Sequence, residues 1–260
     1  MGTTRRNSAS SPHLRAFTLV EVFVSMAIIG SLLAIALPML ARTMGAAKGF
    51  RCQVAQRTVA FDFAVFANDD LGPDRGNDTS LNGRFTIETF QNSQYGLSEF
   101  WRWGSGTTHT LPDNADNDPM RCAEVKSPIK VTRSLSCTDG GVTPAASISF
   151  GFNLRLHRRP VVSDGAPRLE PVQLSGAVLE SGSTPLFWDV DGRVASMRGL
   201  NPVFSAPSLA DTDTLGANTY WFPAMRHNGA ANVAFIDGHV AASRAPLEEP
   251  GWNWKPMRLR

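Results

Sequence analysis

The sequence contains little cysteine and almost no net charge. Three cysteines in 260 residues are too few for a scaffold stapled by several disulfides. The 25 basic and 23 acidic side chains give a net charge of +2, without the basic excess of a dedicated nucleic-acid-binding protein. With 42% hydrophobic residues the chain is too apolar to be disordered, and its 22 glycines follow no collagen period.

Short motifs of common enzyme classes are absent as well. The sequence has no G-x-S-x-G nucleophile elbow, phosphate-binding loop, H-E-x-x-H zinc motif or dinucleotide fingerprint. We therefore expect a protein that is not an enzyme and needs no cofactor, and an anchored hydrolase is the alternative with least support.

Charge and hydrophobicity are concentrated at the N-terminus. The first 16 residues carry Arg5, Arg6 and Arg15 and no acid, which leaves 22 basic and 23 acidic side chains in the remainder. Residues 22–41 form an uncharged, largely apolar run of 20 residues. A helix of that length spans about 30 Å, the thickness of the bilayer core. We expect an inner-membrane protein with a cytoplasmic N-terminus and a periplasmic or extracellular head, rather than a buried core helix.

A carboxylate stands at the head of this apolar run. Glu21 would cost about 2.5–3.5 kcal/mol deep in a membrane, so it needs a partner. Phe17, four residues earlier, lies on the same helical face. A cut before Phe17 would place a new ammonium beside Glu21 of the same chain or of a neighbour in an assembly.

Residues 15–21, Arg-Ala-Phe-Thr-Leu-Val-Glu, resemble the N-terminal signal of type IV pilins and type II secretion pseudopilins. The resemblance implies that prepilin peptidase cuts between Ala16 and Phe17 and N-methylates Phe17. It also implies that Glu21 serves methylation and subunit registry. The family usually has glycine before the cut, where this chain has Ala16.

The resemblance at the N-terminus, together with the distribution of apolar residues, divides the chain into four expected parts. Residues 1–16 are the expected leader, 17–41 the membrane and assembly helix, 42–68 a helical continuation that packs on the head, and 69–260 the head. Gly45 and Gly49 lower helix propensity, so a bend or a melted turn is expected there.

Strand patterns follow the helix. Residues 84–90 alternate and could form a strand, and stronger strand patterns occupy 147–154, 185–190 and 231–241. Helix first and strands afterwards predicts an α+β, pilin-like fold with an antiparallel sheet packed on the helix.

The C-terminal segment 226–240 contains two turn signals. Asn228-Gly229 is the first, and apolar alternation around Asp237-Gly238 predicts a hairpin with a type I′ turn. His227, nine intervening residues and Asp237-Gly238 resemble a signature near the C-terminus of a large group of bacterial pseudopilin-like proteins with heads of unknown function. This resemblance implies an assembly component and no particular reaction.

Two groups of residues could hold a metal ion. His227, Asp237 and His239 suit a transition metal, although Asp237 capping the turn and His227 hydrogen-bonding across the hairpin is the favoured interpretation.

The second group has calcium-like spacing. Asn114, Asp116 and Asp118 are spaced as in a calcium loop, but Pro119 and Val125 depart from the EF-hand pattern. A calcium site there or at Asp189 and Asp191 is the alternative to a solvated acidic loop.

The cysteines allow one favoured bond. Cys122 and Cys137 enclose 14 residues, and a disulfide closing that loop would contribute about 3 kcal/mol outside the cytoplasm. Cys52 is then left over, and free thiols or another pairing are the alternatives.

Two functional hypotheses follow. The first is a structural subunit of a type II secretion or type IV pilus-like filament, whose partners are prepilin peptidase, inner-membrane lipid and other subunits through residues 17–41, with no nucleic acid evident. The second is a membrane-anchored extracytoplasmic binding module, with metal-dependent binding as one form of this hypothesis.

Overall fold

The computed structural model describes residues 18–68, 83–95, 108–110, 121–125, 130–132, 148–163, 166–209, 215 and 217–254. Its helices are α1 (Leu19–Ala67), α2 (Ile87–Tyr95), α3 (Leu154–His157) and α4 (Gly192–Met197). Its strands are β1 (Thr108–Thr110), β2 (Lys130–Thr132), β3 (Phe150–Asn153), β4 (Arg158–Ser163), β5 (Ala166–Pro171), β6 (Pro185–Asp189), β7 (Phe204–Ser205), β8 (Ala231–Phe235) and β9 (Val240–Ser243). The α+β class is confirmed.

The chain forms two compact units, Met1–Met44 and Gly45–Arg260, and α1 contributes residues to both. In the first unit, Leu19, Phe23 and Ile35 are 79, 73 and 71% exposed. The helix is long and apolar enough to cross a membrane.

A capping box starts α1. The backbone N–H and the hydroxyl of Thr18 donate to Glu21 Oε2 at 2.8 and 2.9 Å, and the Glu21 N–H donates back to Thr18 Oγ1 at 3.3 Å. These reciprocal bonds satisfy groups that the first helical turn leaves without helical partners. Glu21 therefore already has a structural role as the acidic member of this cap.

The second part of α1 lies against the core of the second unit. Its buried side chains recur every three or four residues and so share one helical face: Cys52, Gln56, Val59, Ala60, Phe63, Phe66 and Ala67. The helix continues through Gly45 and Gly49 without interruption, so the melted turn expected there is wrong. The apolar contacts of the buried face outweigh a propensity cost of about 1 kcal/mol per glycine.

Five strands form the main sheet, in the order β7-β3-β6-β8-β9. Strands β3, β6, β8 and β9 pair antiparallel, but β3 and β7 pair in parallel. The sheet is therefore mixed, and the expectation of a purely antiparallel sheet is wrong. A β-carbon at Gly151 in β3 would lie 2.6 Å from Val190 and 2.7 Å from the Pro202 carbonyl. Glycine is therefore required where β3 meets the chain leading to β7. The remaining strands form two antiparallel pairs, β1-β2 and β4-β5.

The strand expected at residues 84–90 is wrong. Phe85 makes a single bridge to Leu174, and α2 begins two residues later. The Thr86 hydroxyl accepts from the Thr89 N–H at 3.1 Å and caps the helix. Phe85 and Phe90 both contact the Phe63 ring, at centroid distances of 6.1 and 5.2 Å. The alternation of apolar and polar residues over 84–90 therefore does not mark a strand. It arises because buried residues lie on both sides of the Thr86 helix cap.

The other strand predictions are confirmed. Residues 147–154 contain β3, residues 185–190 contain β6, and residues 231–241 contain β8 and the start of β9. These are the segments whose apolar side chains are buried in the core of the second unit.

A neutral histidine is buried at the end of α3. The His157 ring stacks on Phe204 with centroids 3.9 Å apart, and Arg158 Nε donates to His157 Nε2 at 3.2 Å. Burial, assisted by the Arg158 charge, lowers the pKa of His157 to about 3. His157 therefore takes up a proton at a lower pH in the folded protein than in the unfolded chain.

We predict that acid destabilises the protein partly through His157. Its folded-state pKa is lowered, so its stabilisation is present above pH about 6.5 and is lost as pH falls toward about 3. His157→Gln should flatten the loss of unfolding free energy between pH 6.5 and 4, measured by urea unfolding with tryptophan fluorescence. His239→Gln, at a half-exposed histidine, is the matched control. Equal slopes for His157→Gln and the unsubstituted protein would contradict this role.

Candidate functional site

A fully buried carboxylate occupies the end of β6. Asp189 Oδ1 accepts from Gln56 Nε2 of α1 at 3.2 Å, and Oδ2 accepts from the Asn232 N–H of β8 at 2.8 Å. Gln56 and Asn232 are themselves buried. Because a buried charge is costly unless it is paired and hydrogen-bonded, this carboxylate requires the surrounding donors.

Arg226 supplies the opposite charge. Its Nη1 lies 3.6 Å from Asp189 Oδ1 and donates to the Ser149 carbonyl at 3.2 Å, while Nη2 donates to the Val190 carbonyl. Burial lowers the pKa of the guanidinium, and the nearby charge of Asp189 opposes that shift. The Arg226 guanidinium thus connects the Asp189 carboxylate to the backbone just before β3, at Ser149, and just after β6, at Val190.

His227 is the second cationic partner. Its Nε2 lies 3.2 Å from Asp189 Oδ2, and its Nδ1 lies 3.4 Å from Glu124 Oε1. Burial alone would lower the pKa of His227, but the hydrogen bond and charge of Asp189, with the charge of Glu124, outweigh burial and raise it. We call Gln56, Asp189, Arg226, His227 and Asn232 the Asp189 cluster.

A disulfide lies next to this cluster. Cys52 of α1 is bonded to Cys122, and Cys122 Sγ is 3.5 Å from His227 Nε2. The expected Cys122–Cys137 bond is therefore wrong, because Cys122 has Cys52 as its partner; Cys137 itself lies outside the described residues.

Tertiary contacts decide this cysteine pairing. Cys52 lies on the buried face of α1, where the Ala123 N–H donates to its Sγ at 3.1 Å. Closing a loop with a sequence separation of 70 stabilises the fold by about 4 kcal/mol in the chain-entropy model, more than the shorter loop would.

The two turns of the C-terminal segment differ from the prediction. Asn228 and Gly229 have φ of 54° and 79°, and His227 and Ala230 exchange two backbone hydrogen bonds of 3.1 Å. This is the pattern of a two-residue type I′ turn. The type I′ turn expected at Asp237-Gly238 is wrong, because only Gly238, with φ of 87°, is left-handed there. The Phe235 N–H donates to the His239 carbonyl, and the Gly238 N–H donates to the Phe235 carbonyl. These bonds define a three-residue hairpin loop over residues 236–238.

The structure separates the residues of the His-x9-Asp-Gly signature. The His227 ring faces Asp189, whereas Asp237 Oδ1 accepts from the His239 N–H at 3.1 Å and lies 2.5 Å from His239 Nδ1. Asp237 therefore holds its own turn, as the structural interpretation predicted. The expected hydrogen bond of His227 across that hairpin is wrong, because its ring faces Asp189 and its backbone bonds to Ala230 close the Asn228-Gly229 turn instead.

The proposed calcium residues do not share a described site. Asp191 Oδ1 accepts from the N–H groups of Arg193 and Val194 at the start of α4, whereas Asp189 faces its own cluster. Six of the candidate processing, metal and disulfide residues lie outside the described residues: Ala16, Phe17, Asn114, Asp116, Asp118 and Cys137.

Sequence reasoning missed most of the Asp189 cluster. Gln56 carried one signal, since it is a polar residue at a buried position of a helical apolar pattern. Arg226 is adjacent to His227, but its neighbours in sequence do not indicate that its guanidinium lies beside Asp189. The cluster brings together parts of the chain as far apart as residues 56 and 232, and no local spacing encodes that arrangement.

No family model, curated protein or solved structure matches this chain. The functional argument therefore rests on the N-terminal helix and the Asp189 cluster. The cluster and the disulfide connect α1 with β6, β8 and residues 121–125 and 226–227, so their chemistry joins the helix to the sheet.

We predict that Asp189→Asn costs about 3 kcal/mol of unfolding free energy, the lower end of the range for breaking a buried ion pair, because it leaves the largely buried Arg226 without its counter-charge. Asp191→Asn, two positions away, is the matched control. Asparagine caps helices about as well as aspartate, so this change should cost less than about 1 kcal/mol. Urea unfolding of the full chain in detergent, followed by tryptophan fluorescence, measures both. A loss for Asp189→Asn no larger than that of the control would refute the counter-charge role.

Proposed function

We propose that this protein is a pilin-like structural subunit of a type II secretion or type IV pilus-like filament. It is made as an inner-membrane precursor and is cut by prepilin peptidase before Phe17. The single observation that carries the proposal is α1, which presents an apolar surface over its first part and is built into the folded second unit over its last part.

The exposed apolar surface of α1 needs a non-aqueous environment. Side chains that face outward all around the helix include Val20, Phe23, Ile28, Leu32 and Leu40, each at least 55% exposed. A helix that is apolar all round is stable in lipid or among other helices rather than in water. Lipid surrounds residues 17–41 in the precursor, and the same residues of other subunits surround them in the filament.

The folded second unit secures the other part of the same helix. Cys52 is covalently bonded to Cys122, and Gln56 donates to the buried Asp189. An assembly force on the helix is therefore transmitted to the head through a covalent bond and a buried ionic cluster. This support suits a subunit held in a filament by its N-terminal helix.

Glu21 has two successive partners in this proposal. In the uncut chain Thr18 holds its carboxylate in the capping box. After the cut, the ammonium of Phe17, in the same chain or a neighbouring subunit, provides an ion pair in surroundings where the charge would otherwise be costly. The head faces the periplasm or the cell exterior.

The processed protein is predicted to begin with N-methyl-Phe17. Intact-mass measurement of the protein purified from membranes, coexpressed with a prepilin peptidase, should show the loss of residues 1–16 and the addition of one methyl group. Omission of the peptidase is the control and should leave the precursor mass. A chain that retains Met1 with active peptidase present would refute the processing step.

Glu21 variants separate capping from registry. Glu21→Gln keeps a hydrogen-bonding side chain for the Thr18 cap but loses the charge, and Glu21→Val loses both. We predict that both insert in the membrane and that neither assembles, as judged by membrane fractionation and electron microscopy of filaments.

The matched control for these variants is Thr18→Ala, which removes the capping hydroxyl but keeps the carboxylate, and it should assemble. Normal filaments from Glu21→Gln would show that the charge is not needed for registry.

A further inference from the structure

Three soft or borderline metal-ligand atoms meet beside the Asp189 cluster. The sulfurs of Cys52 and Cys122 and a ring nitrogen of His227 all lie within 4.8 Å of one another. Both cysteines are fully buried, and the His227 side chain is 7% exposed. The sequence predicted a different transition-metal group, formed by His227, Asp237 and His239. Among the described residues, the two groups have only His227 in common.

The spacing of these atoms suits tetrahedral zinc. Cys122 Sγ and His227 Nε2 are 3.5 Å apart. With a Zn–S bond of about 2.3 Å and a Zn–N bond of about 2.0–2.1 Å, two ligands on a tetrahedral ion are separated by about 3.5 Å. Without the bond between them, the two sulfurs can separate to about 3.8 Å, the distance of two thiolates on one zinc.

The surroundings of His227 orient its ring for this role. Glu124 Oε1 lies 3.4 Å from Nδ1, and Nε2 lies 3.2 Å from Asp189 Oδ2 and 3.5 Å from Cys122 Sγ. A metal ion at Nε2 would displace the proton that this nitrogen shares with Asp189, and the remaining ring proton on Nδ1 would then face Glu124. A carboxylate behind the imidazole is the usual companion of a metal-bound histidine. Asp189 Oδ2, 3.2 Å from Nε2, is a further oxygen donor for the fourth position.

We propose that the dithiol form of this chain binds one Zn²⁺ through Cys52, Cys122 and His227, and that this metal site and the Cys52–Cys122 disulfide are alternative states of the same position. The newly made chain carries both thiols, and zinc binding releases their two protons to solvent. A disulfide-donating oxidant outside the cytoplasm then accepts two electrons from the zinc-bound thiolates and takes up two protons from solvent, which reduces its own disulfide to a dithiol. The S–S bond forms, and zinc is released.

In either state the same two cysteines connect α1 to residues 121–125. Zinc would thus hold the helix against residues 121–125 before the covalent bond exists, and it would protect the thiols from pairing with Cys137. This inference is independent of filament assembly, because it concerns only the second unit.

The test uses the full chain in detergent with Cys137→Ser, which leaves only the two cysteines in question. After reduction by a phosphine and removal of metal, titration with Zn²⁺ should give one bound ion per chain by elemental analysis. Co²⁺ should give a thiolate-to-metal charge-transfer band and the visible spectrum of a tetrahedral site. The same protein with its disulfide intact should bind neither ion at this position.

Variants assign the ligands. Cys52→Ser should abolish the cobalt charge-transfer band of a two-thiolate site, and His227→Gln should shift the visible spectrum and weaken zinc binding. Glu124→Gln leaves all proposed ligands in place and should weaken zinc binding by about 10- to 100-fold. His239→Gln, at a half-exposed histidine, is the matched control and should bind as the parent does.

Circular dichroism checks that each variant is folded. If His227→Gln does not fold, the zinc affinity of Glu124→Gln tests the role of His227 instead. The proposal is overturned if the reduced parent binds no zinc, or if binding and the cobalt spectrum are unchanged by Cys52→Ser.

Discussion

The fold of the second unit depends on a charge that water cannot reach. Asp189 is completely buried at the end of a central strand, and it is stable there only because Gln56, Asn232, Arg226 and His227 converge on its two oxygens. A hydrophobic interface between α1 and the sheet would tolerate sliding by a turn. Directional bonds to one carboxylate specify a single position of the helix, and the adjacent disulfide makes that position covalent.

This arrangement gives the His-x9-Asp-Gly pattern a physical meaning. Its histidine closes the ion pair with Asp189, a type I′ turn at Asn228-Gly229 reverses the chain, β8 follows, and Asp237-Gly238 turns the chain into β9. One short segment thus supplies an ionic partner and two consecutive strands. Such a segment stabilises the fold of the second unit.

Features set by local chemistry could be predicted from the sequence. The apolar run of α1, the strands around Phe150, Phe187 and Val233 and the turn at Asn228 all follow from residue type and spacing. The disulfide, the ionic cluster and the parallel β3–β7 pairing could not, because they join residues far apart in the chain. The strand expected at residues 84–90 failed because the Thr86 cap sets the structure of the residues that follow it.

The capping box at Thr18 has an electrostatic consequence for a chain that starts at Phe17. Helical peptide dipoles place about half a positive charge at the N-terminus of a helix, and a free ammonium one residue before the cap would add a full positive charge to it. The Glu21 carboxylate, already bonded to Thr18, is the acidic group of the first turn and would offset both. In a chain cut before Phe17, Glu21 would thus be the counter-charge that lets a helix begin at the first residue.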